Sequence, residues 1–432
     1  MTAYRQEKKV FILIFIFPLL VLAQLPLTME TIKHSYLNYL EGNEAAANGY
    51  WEEAYLKLQK AVEINPADQA SLLSLQILDD ILDNRIDRRS GLYLFKTMHA
   101  LDYHNKKEAK EQFDQIGEKL ADYARFFLIA GMLQETTGLR TTAIDSYSKT
   151  LSFDNKNVLA FYMRGKVYQH LGQDQLALRD FTRAIALTPI FYDALFERGR
   201  LFQSQKKYRE AIADYEQAYQ FNRALKQVLD KSLLVCEAYN QEGSLHLNNQ
   251  QLEQALTDFN QAIAWNPHFP EPYLNRSIVY REMKLLSLAR KDIEQVLLLD
   301  TTNADAYLQR GLIFLQDGSR QAAEKDWLKA KNLDPQNERT FLVLAELYYN
   351  TQDYDRAISI LQEILLTAPD AYWGHYWLAL SYDAKRRFKE AIVHYESFVR
   401  LAPEEYFEHR VKMWKRAERL KEWINRKTPN IK

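Results

Sequence analysis

Apolar positions along this chain recur at helical spacing, and that pattern itself recurs at a longer interval. Ala143, Ala177 and Ala211 stand 34 residues apart, and after one interruption Ala255, Ala289, Ala323, Ala357 and Ala391 resume the same step. Twelve positions before these alanines sits a small residue: Gly131, Gly165, Gly199, Gly243 and Gly311, with Ser277, Ala345 and Ala379 in the other units. Four positions after each alanine comes a bulky residue (Tyr147, Phe181, Tyr215, Phe259, Ile293, Trp327, Leu361, Tyr395), and three further on one that is usually small or apolar, such as Ala184, Ala218, Ala262 and Ala330. A spacing of i, i+4, i+7 is one stripe of a helix. Prolines close several units, at Pro66, Pro189, Pro267, Pro335, Pro369 and Pro403, and proline cannot continue a helix. A fixed period of this length predicts a solenoid of helix pairs, in which each repeat packs only on its neighbours and partners dock along an extended surface.

The ladder is broken twice. Between Ala211 and Ala255 the step is 44 residues, and no proline or glycine occurs between Tyr208 and Glu242. The insertion is therefore expected to be helical, as part of a long helix running from near Arg223 to about Asn248. Between Ala54 and Ala109 the step is 55 residues, which is 21 more than one period and room for one additional helix, around Gln69 to Asn84. Helix roles in that stretch stay open at this level.

The small-residue, aromatic, alanine, aromatic and proline pattern resembles the tetratricopeptide repeat family, unit by unit from about Phe126 to Pro403, and Gly131/Gly138, Gly165/Gly172 and Gly311/Gly318 repeat the family's paired turn glycines. A further unit carries Gly42, Ala54, Leu58, Ala61 and Pro66, and a weaker one Ala109, Phe113 and Ile116. The resemblance implies an all-α, right-handed superhelical solenoid of antiparallel helix pairs. The expected organisation is degenerate repeats over 30–120, a first block of repeats over 121–222, a second block over 223–403 opening with the long helix, and a capping helix over 404–428. In that last segment Phe407, Val411, Trp414, Leu420 and Ile424 alternate with basic residues. A solenoid must cover its last apolar face, so capping is the simpler reading and a membrane-surface or partner helix the other.

The resemblance also implies that first-helix residues off the packing stripe line an inner, partner-binding face. By unit these are Tyr162, Lys166 and Gln169; Phe196, Arg200 and Gln203; Asn240, Ser244 and Leu247; Leu274, Ile278 and Arg281; Leu308, Leu312 and Leu315; Leu342, Glu346 and Tyr349; Trp373, Tyr376 and Leu380. Trp373, Tyr376 and Trp377 lie within five residues and are candidates either for a peptide anchor or for packing under the capping helix. Relatives that hold chaperone C-termini use a lysine, asparagine and arginine clamp. Asn275 matches one clamp position, but Tyr162, Asn240 and Leu308 replace its first lysine and Glu197 or Gln309 its arginine, so that ligand is disfavoured.

One correlation removes charges from the ligand-reading set. The residue before the small position is arginine in four units, and the residue three after the ladder alanine is aspartate in the same four: Arg164/Asp180, Arg198/Asp214, Arg276/Asp292 and Arg310/Asp326. Where the first becomes Leu344 the second becomes Ile360, which predicts that the two positions meet between helices. Glu242/Asp258 departs from the rule with two acids, so another base must answer there or the contact opens.

Composition narrows the function class. With 47% hydrophobic residues, 27 tyrosines, 21 phenylalanines and a formal net charge of −1, the aromatics read as wedges between helices and no electrostatic case for nucleic acid exists. The sequence contains no Gly-rich phosphate or dinucleotide loop, no metalloprotease motif and no nucleophile elbow. Nine dispersed histidines and a single cysteine, Cys236 in an apolar run, give no metal set, no disulfide and no cofactor site. Arg5, Lys8 and Lys9 precede an apolar run from Val10 to Ala23, short for a membrane span. Residues 1–23 read as an export signal cut before Gln24, as an uncleaved anchor extending to Leu27, or as a hydrophobic first solenoid helix. The first two place the repeats outside the cytoplasm, in a periplasm or anchored to the membrane's outer side, with membrane contact only through residues 10–27. The expected function is that of an exported scaffold or adaptor without catalysis, binding protein or peptide partners. The alternative is a noncatalytic glycan-binding or assembly subunit of an envelope polysaccharide or secretion system.

Overall fold

The computed structural model describes residues 28–221 and 229–427. The expected export segment and the expected start of the long helix near Arg223 lie outside those residues. Among the described residues there are 22 α-helices, two short 3₁₀ turns and no strand. The chain forms two compact units, Met1–Glu242 and Gly243–Lys432.

The N-terminal unit contains α1 (Met29–Ala47), α2 (Trp51–Ile64), α3 (Gln69–Leu82), α4 (Arg88–Asp102), α5 (Lys106–Asp114), α6 (Ala124–Thr136), α7 (Arg140–Phe153), α8 (Val158–His170), α9 (Asp174–Leu187), α10 (Tyr192–Ser204) and α11 (Tyr208–Phe221). The division falls within α12 (Leu229–Asn248). The C-terminal unit continues with α13 (Leu252–Trp265), α14 (Pro270–Glu282), α15 (Leu286–Leu299), α16 (Ala304–Gln316), α17 (Arg320–Leu333), α18 (Glu338–Asn350), α19 (Tyr354–Thr367), α20 (Tyr372–Ala384), α21 (Phe388–Leu401) and α22 (Phe407–Lys427).

Each unit is a stack of antiparallel helix pairs, and the ladder explains why. All eight ladder alanines are completely buried, as are the bulky residues four positions on except for the last, Tyr395, which is nearly so. The small position exists to receive that bulky side chain. A Cβ on Gly165 would stand 2.7 Å from Phe181 Cε1, and one on Gly243 2.8 Å from Phe259 Cε1, closer than atoms pack. Burying one such aromatic contributes about 2–3 kcal/mol, which is the main cohesion within a pair. Where the wedge carries a polar tip, the tip is bonded: Tyr147 Oη donates to Glu135 Oε2 at 3.1 Å, Tyr215 Oη to Gln203 Oε1 at 2.9 Å, and Trp327 Nε1 to the Leu308 carbonyl at 3.0 Å.

The turn within each pair is also repeated, with a residue of positive φ seven positions after the small one. Glycine holds it at Gly138, Gly172 and Gly318, whereas Lys206, Gln250, Lys284, Gln352 and Arg386 adopt the same conformation with a side chain. This signature resolves the irregular N-terminal stretch. His104 has φ 57° and stands seven residues after the buried Thr97, which in turn is 34 residues before Gly131. So α4 and α5 form a repeat in register with the ladder, and α3 is the inserted helix. It is tied down by buried Asp80, whose carboxylate receives Arg85 at 2.8 Å, Arg125 at 2.6 Å and the Tyr123 hydroxyl at 2.7 Å.

At the other end, α22 buries Met413, Ala417 and Leu420 in the core of the C-terminal unit. That stripe keeps Leu420 of the expected one but is otherwise rotated from it: Phe407 and Trp414 are 67% and 52% exposed.

Candidate functional site

The first helices of successive repeats touch one another, as α6 does α8, α14 does α16 and α18 does α20. First helices therefore line the inner side of each stack, where a partner would lie. What they offer depends on which side chains the repeat architecture has already used.

The recurrent arginines are used. Arg164 donates from Nε and Nη2 to both oxygens of Asp180 at 2.7 and 2.8 Å, and its Nη1 reaches Ser148 Oγ of the preceding repeat at 2.9 Å. Arg198 repeats this on Asp214 at 2.8 and 2.6 Å with Thr182 behind, Arg276 on Asp292 at 2.8 and 2.7 Å with Asn260 behind, and Arg310 on Asp326 at 2.6 and 2.9 Å. Arg164, Arg276 and Arg310 are each flanked by two rings of their own helix, Phe161 and Tyr168, Tyr273 and Tyr280, Tyr307 and Phe314. The aspartates are buried while the guanidinium edges are half-buried, so each pair is a bidentate clasp between two helices, with a third link to the repeat before at Arg164, Arg198 and Arg276. At Arg310 the bond to Asp326 raises the guanidinium's pKa, and at Arg164 and Arg276 the aspartate bonds outweigh the opposing desolvation.

The exceptional acids find other bases. Within the N-terminal unit Arg209 Nε donates to Glu242 Oε1 at 2.6 Å, and within the C-terminal unit His246 Nδ1 lies 2.6 Å from Asp258 Oδ2. Neither base occupies the clasp position, so no periodicity in the sequence pointed to them.

Several inner-face candidates turn out to be core. Leu308 is 1% exposed and carries the carbonyl that receives Trp327, so it is removed from the lining, and Phe196 is likewise buried. Tyr162 packs on Phe181 and Phe191, with ring centroids 6.0 and 4.9 Å away, and burial pushes its hydroxyl pKa up. Trp373 and Tyr376 pack on Phe398 and on His409 of α22, and Trp373 also on Tyr406, so both are largely engaged under the cap. Trp377 points instead to Tyr349 of the preceding repeat, at 5.5 Å.

Other candidates keep accessible surface. Arg200 and Glu346 are exposed, with Arg200 3.7 Å from Glu197. Lys166, Gln169, Asn240, Asn275, Leu312, Tyr349 and Trp377 are half-buried. Lys166 lies over the Tyr162 ring, and Asn275 Nδ2 donates to Ser244 Oγ at 3.4 Å, so the residue matching the clamp pattern is bonded within the protein. No group of histidines, cysteines and carboxylates suited to a metal occurs among the described residues. No helix among them is long and apolar enough to cross a membrane.

Profiles of the tetratricopeptide repeat match residues 162–226, 237–269, 314–380 and 374–405. Among curated proteins, the chain is 23% identical over 274 residues to DnaJ homolog subfamily C member 3 of Gallus gallus, covering 59% of this chain and 52% of that protein. It is 29% identical over 197 residues to the human Protein O-mannosyl-transferase TMTC3, covering 41% of this chain and 22% of that protein. The chain thus spans about half the length of the first relative and less of the second. Among solved structures, the C-terminal part of a TPR repeat-containing protein from Cytophaga hutchinsonii aligns over 57% of this chain and 97% of its own, with 16% identity and a TM-score of 0.44. The chain carries tetratricopeptide repeats, and its fold is the all-α solenoid of helix pairs that such repeats build.

Proposed function

We propose that this protein is an exported, noncatalytic scaffold or adaptor that holds a protein or peptide partner along the inner face of its first helices. The observation that carries this reading is the contrast between repeated and unrepeated side chains. Every strongly periodic residue is occupied in wedges, turns or clasps, whereas Arg200, Glu346, Leu312 and Trp377 occupy inner-face positions that differ from repeat to repeat. Selective recognition needs such differences, and structural repetition does not. Export rests on the basic and apolar N-terminal sequence alone.

The test is site-specific photocrosslinking in cells, with the probe at Arg200 and Glu346 of the inner face and at the exposed Leu298 and Leu366 of second helices. Discrete adducts only from the inner-face sites are expected. Equal adducts from both sets would sink the proposal. N-terminal sequencing of the purified protein addresses export cleavage, where a start at Met1 or Thr2 would reject it.

A further inference from the structure

We infer that the inner face of the C-terminal unit around Arg281 is a docking site for an acidic, apolar peptide segment, with a carboxylate of the peptide seated on the Arg281 guanidinium. This rests on the inner-face reading above and names the chemistry of the partner.

One position of the first helix faces the tip of the wedge. Where the wedge is a tyrosine, the residue four after the small position meets its hydroxyl: Glu135 meets Tyr147, Gln203 meets Tyr215, and Asp383 accepts from Tyr395 at 2.9 Å. Arg281 stands at this offset from Ser277, but its repeat has Ile293 as the wedge, which has no polar atom. Arg281 Nε is consequently buried without a hydrogen-bond partner among the described residues, and the guanidinium has no ion pair among them. The adjacent Glu282 acts in its favour and Arg339 on α18 against it, and burial, the largest influence, draws its pKa below the ordinary arginine value.

A half-buried cation without an ion-pair partner is unfavourable to folding, and a second cation nearby adds to that. Neighbouring inner-face positions are largely apolar. Ile278 lies on the same helix, Leu312 and Leu315 are on α16, which touches α14, and Leu342 is on α18. Leu315, at the same offset as Arg281 in the next repeat, is exposed. A carboxylate flanked by bulky apolar side chains complements that arrangement in charge and in surface. The arrangement differs from the clamp used by chaperone-binding relatives, whose lysine and arginine positions are not basic here. The chain's own N-terminal 27 residues are a poor occupant, since they carry three bases and one acid.

The experiment uses the full chain and a fluorescein-labelled peptide of four Leu-Asp repeats, compared by anisotropy with four Leu-Asn repeats and four Leu-Lys repeats. The acidic peptide is expected to bind at least tenfold more tightly than either control. Arg281→Gln is expected to remove that preference while the melting temperature stays equal to or above that of the unchanged protein, an outcome that a structural arginine would not give. Equal affinity for the Leu-Asp and Leu-Asn peptides, or undiminished acidic-peptide binding by Arg281→Gln, would overturn the assignment to Arg281 while leaving inner-face binding to the crosslinking test. Failure of all three peptides to bind also overturns it, and adducts at Glu346 would then show that the inner face takes a partner of other chemistry.

Discussion

The repeats around Arg276 and around Leu344 solve the same packing problem in opposite ways. In one, a guanidinium and a carboxylate close the space between two helices, with Asn260 bonded behind them. In the other, Leu344 and Ile360 close it with apolar surface alone, inside the continuous core that ends under α22. The last repeat offers a third solution, Leu378 with His394. The backbone geometry tolerates all three, so the clasp is a choice of chemistry at a fixed site and is not needed to form the pair. What it cannot tolerate is half a choice.

The largest effect is therefore expected from breaking one side. Asp292→Ala leaves the half-buried Arg276 without its counter-charge and should destabilise the C-terminal unit by about 3 kcal/mol, read from denaturant unfolding. Combining Arg276→Leu with Asp292→Ile copies the Leu344/Ile360 solution and should return stability to within about 1 kcal/mol of the original. If the double variant were as unstable as the single one, the two solutions would not be interchangeable and the clasp would be a structural requirement.

The same contrast marks how far the sequence could be read. The clasps were legible because both partners lie inside one period, sixteen residues apart, and the correlated loss at Leu344 and Ile360 identifies a contact without coordinates. Arg209 as the base for Glu242 was not legible, because a compensation that occurs once has no period to expose it. Leu308 was misplaced for a related reason. Its offset matches that of Tyr162 and Asn240, but the wedge in its repeat is Trp327, whose indole takes the carbonyl of Leu308 and covers the side chain. The helix roles between α2 and α6 became clear only from the backbone, since His104 adopts a positive φ that nothing in a histidine announces.

Glycine positions sharpen the comparison at a smaller scale. Gly165→Ala would drive a Cβ to 2.7 Å from the Phe181 ring and 3.3 Å from Asp180 Cβ, so it perturbs wedge and clasp together. A loss of about 2 kcal/mol is expected, despite alanine being the better helix former, because overpacking outweighs propensity. Gly138→Ala has nothing within 4 Å of the new atom and a φ of +85°, so only backbone strain of about 1 kcal/mol should appear. Thermal unfolding of the two variants side by side checks the order, and an equal loss would mean that the wedge can shift aside.

The third solution makes the last repeat sensitive to acid through an imidazole. His375 Nε2 donates to the Pro369 carbonyl at 2.9 Å, which leaves its Nδ1 to accept from His394 Nδ1 at 2.9 Å, with the Tyr382 ring stacked on His394. Burial, and after it the facing His375, lower the pKa of His394 from 6.5 to about 4. The unfolded chain takes up a proton near pH 6.5 that the folded chain refuses until about pH 4, so the contribution is complete above the first value, declines as pH falls, and levels off below the second. Because part of the ring reaches solvent, the loss should amount to roughly 1–2 kcal/mol and not the full conversion of the shift. Replacing both histidines by leucine extends the apolar solution of Leu344 and Ile360 into the last repeat and should flatten the stability profile between pH 7 and 4.5 relative to the unchanged protein. An identical slope in the two proteins would place the acid sensitivity elsewhere. A flatter one would show that the repeat beneath the cap responds to pH through His394, whose buried ring resists protonation in the folded protein.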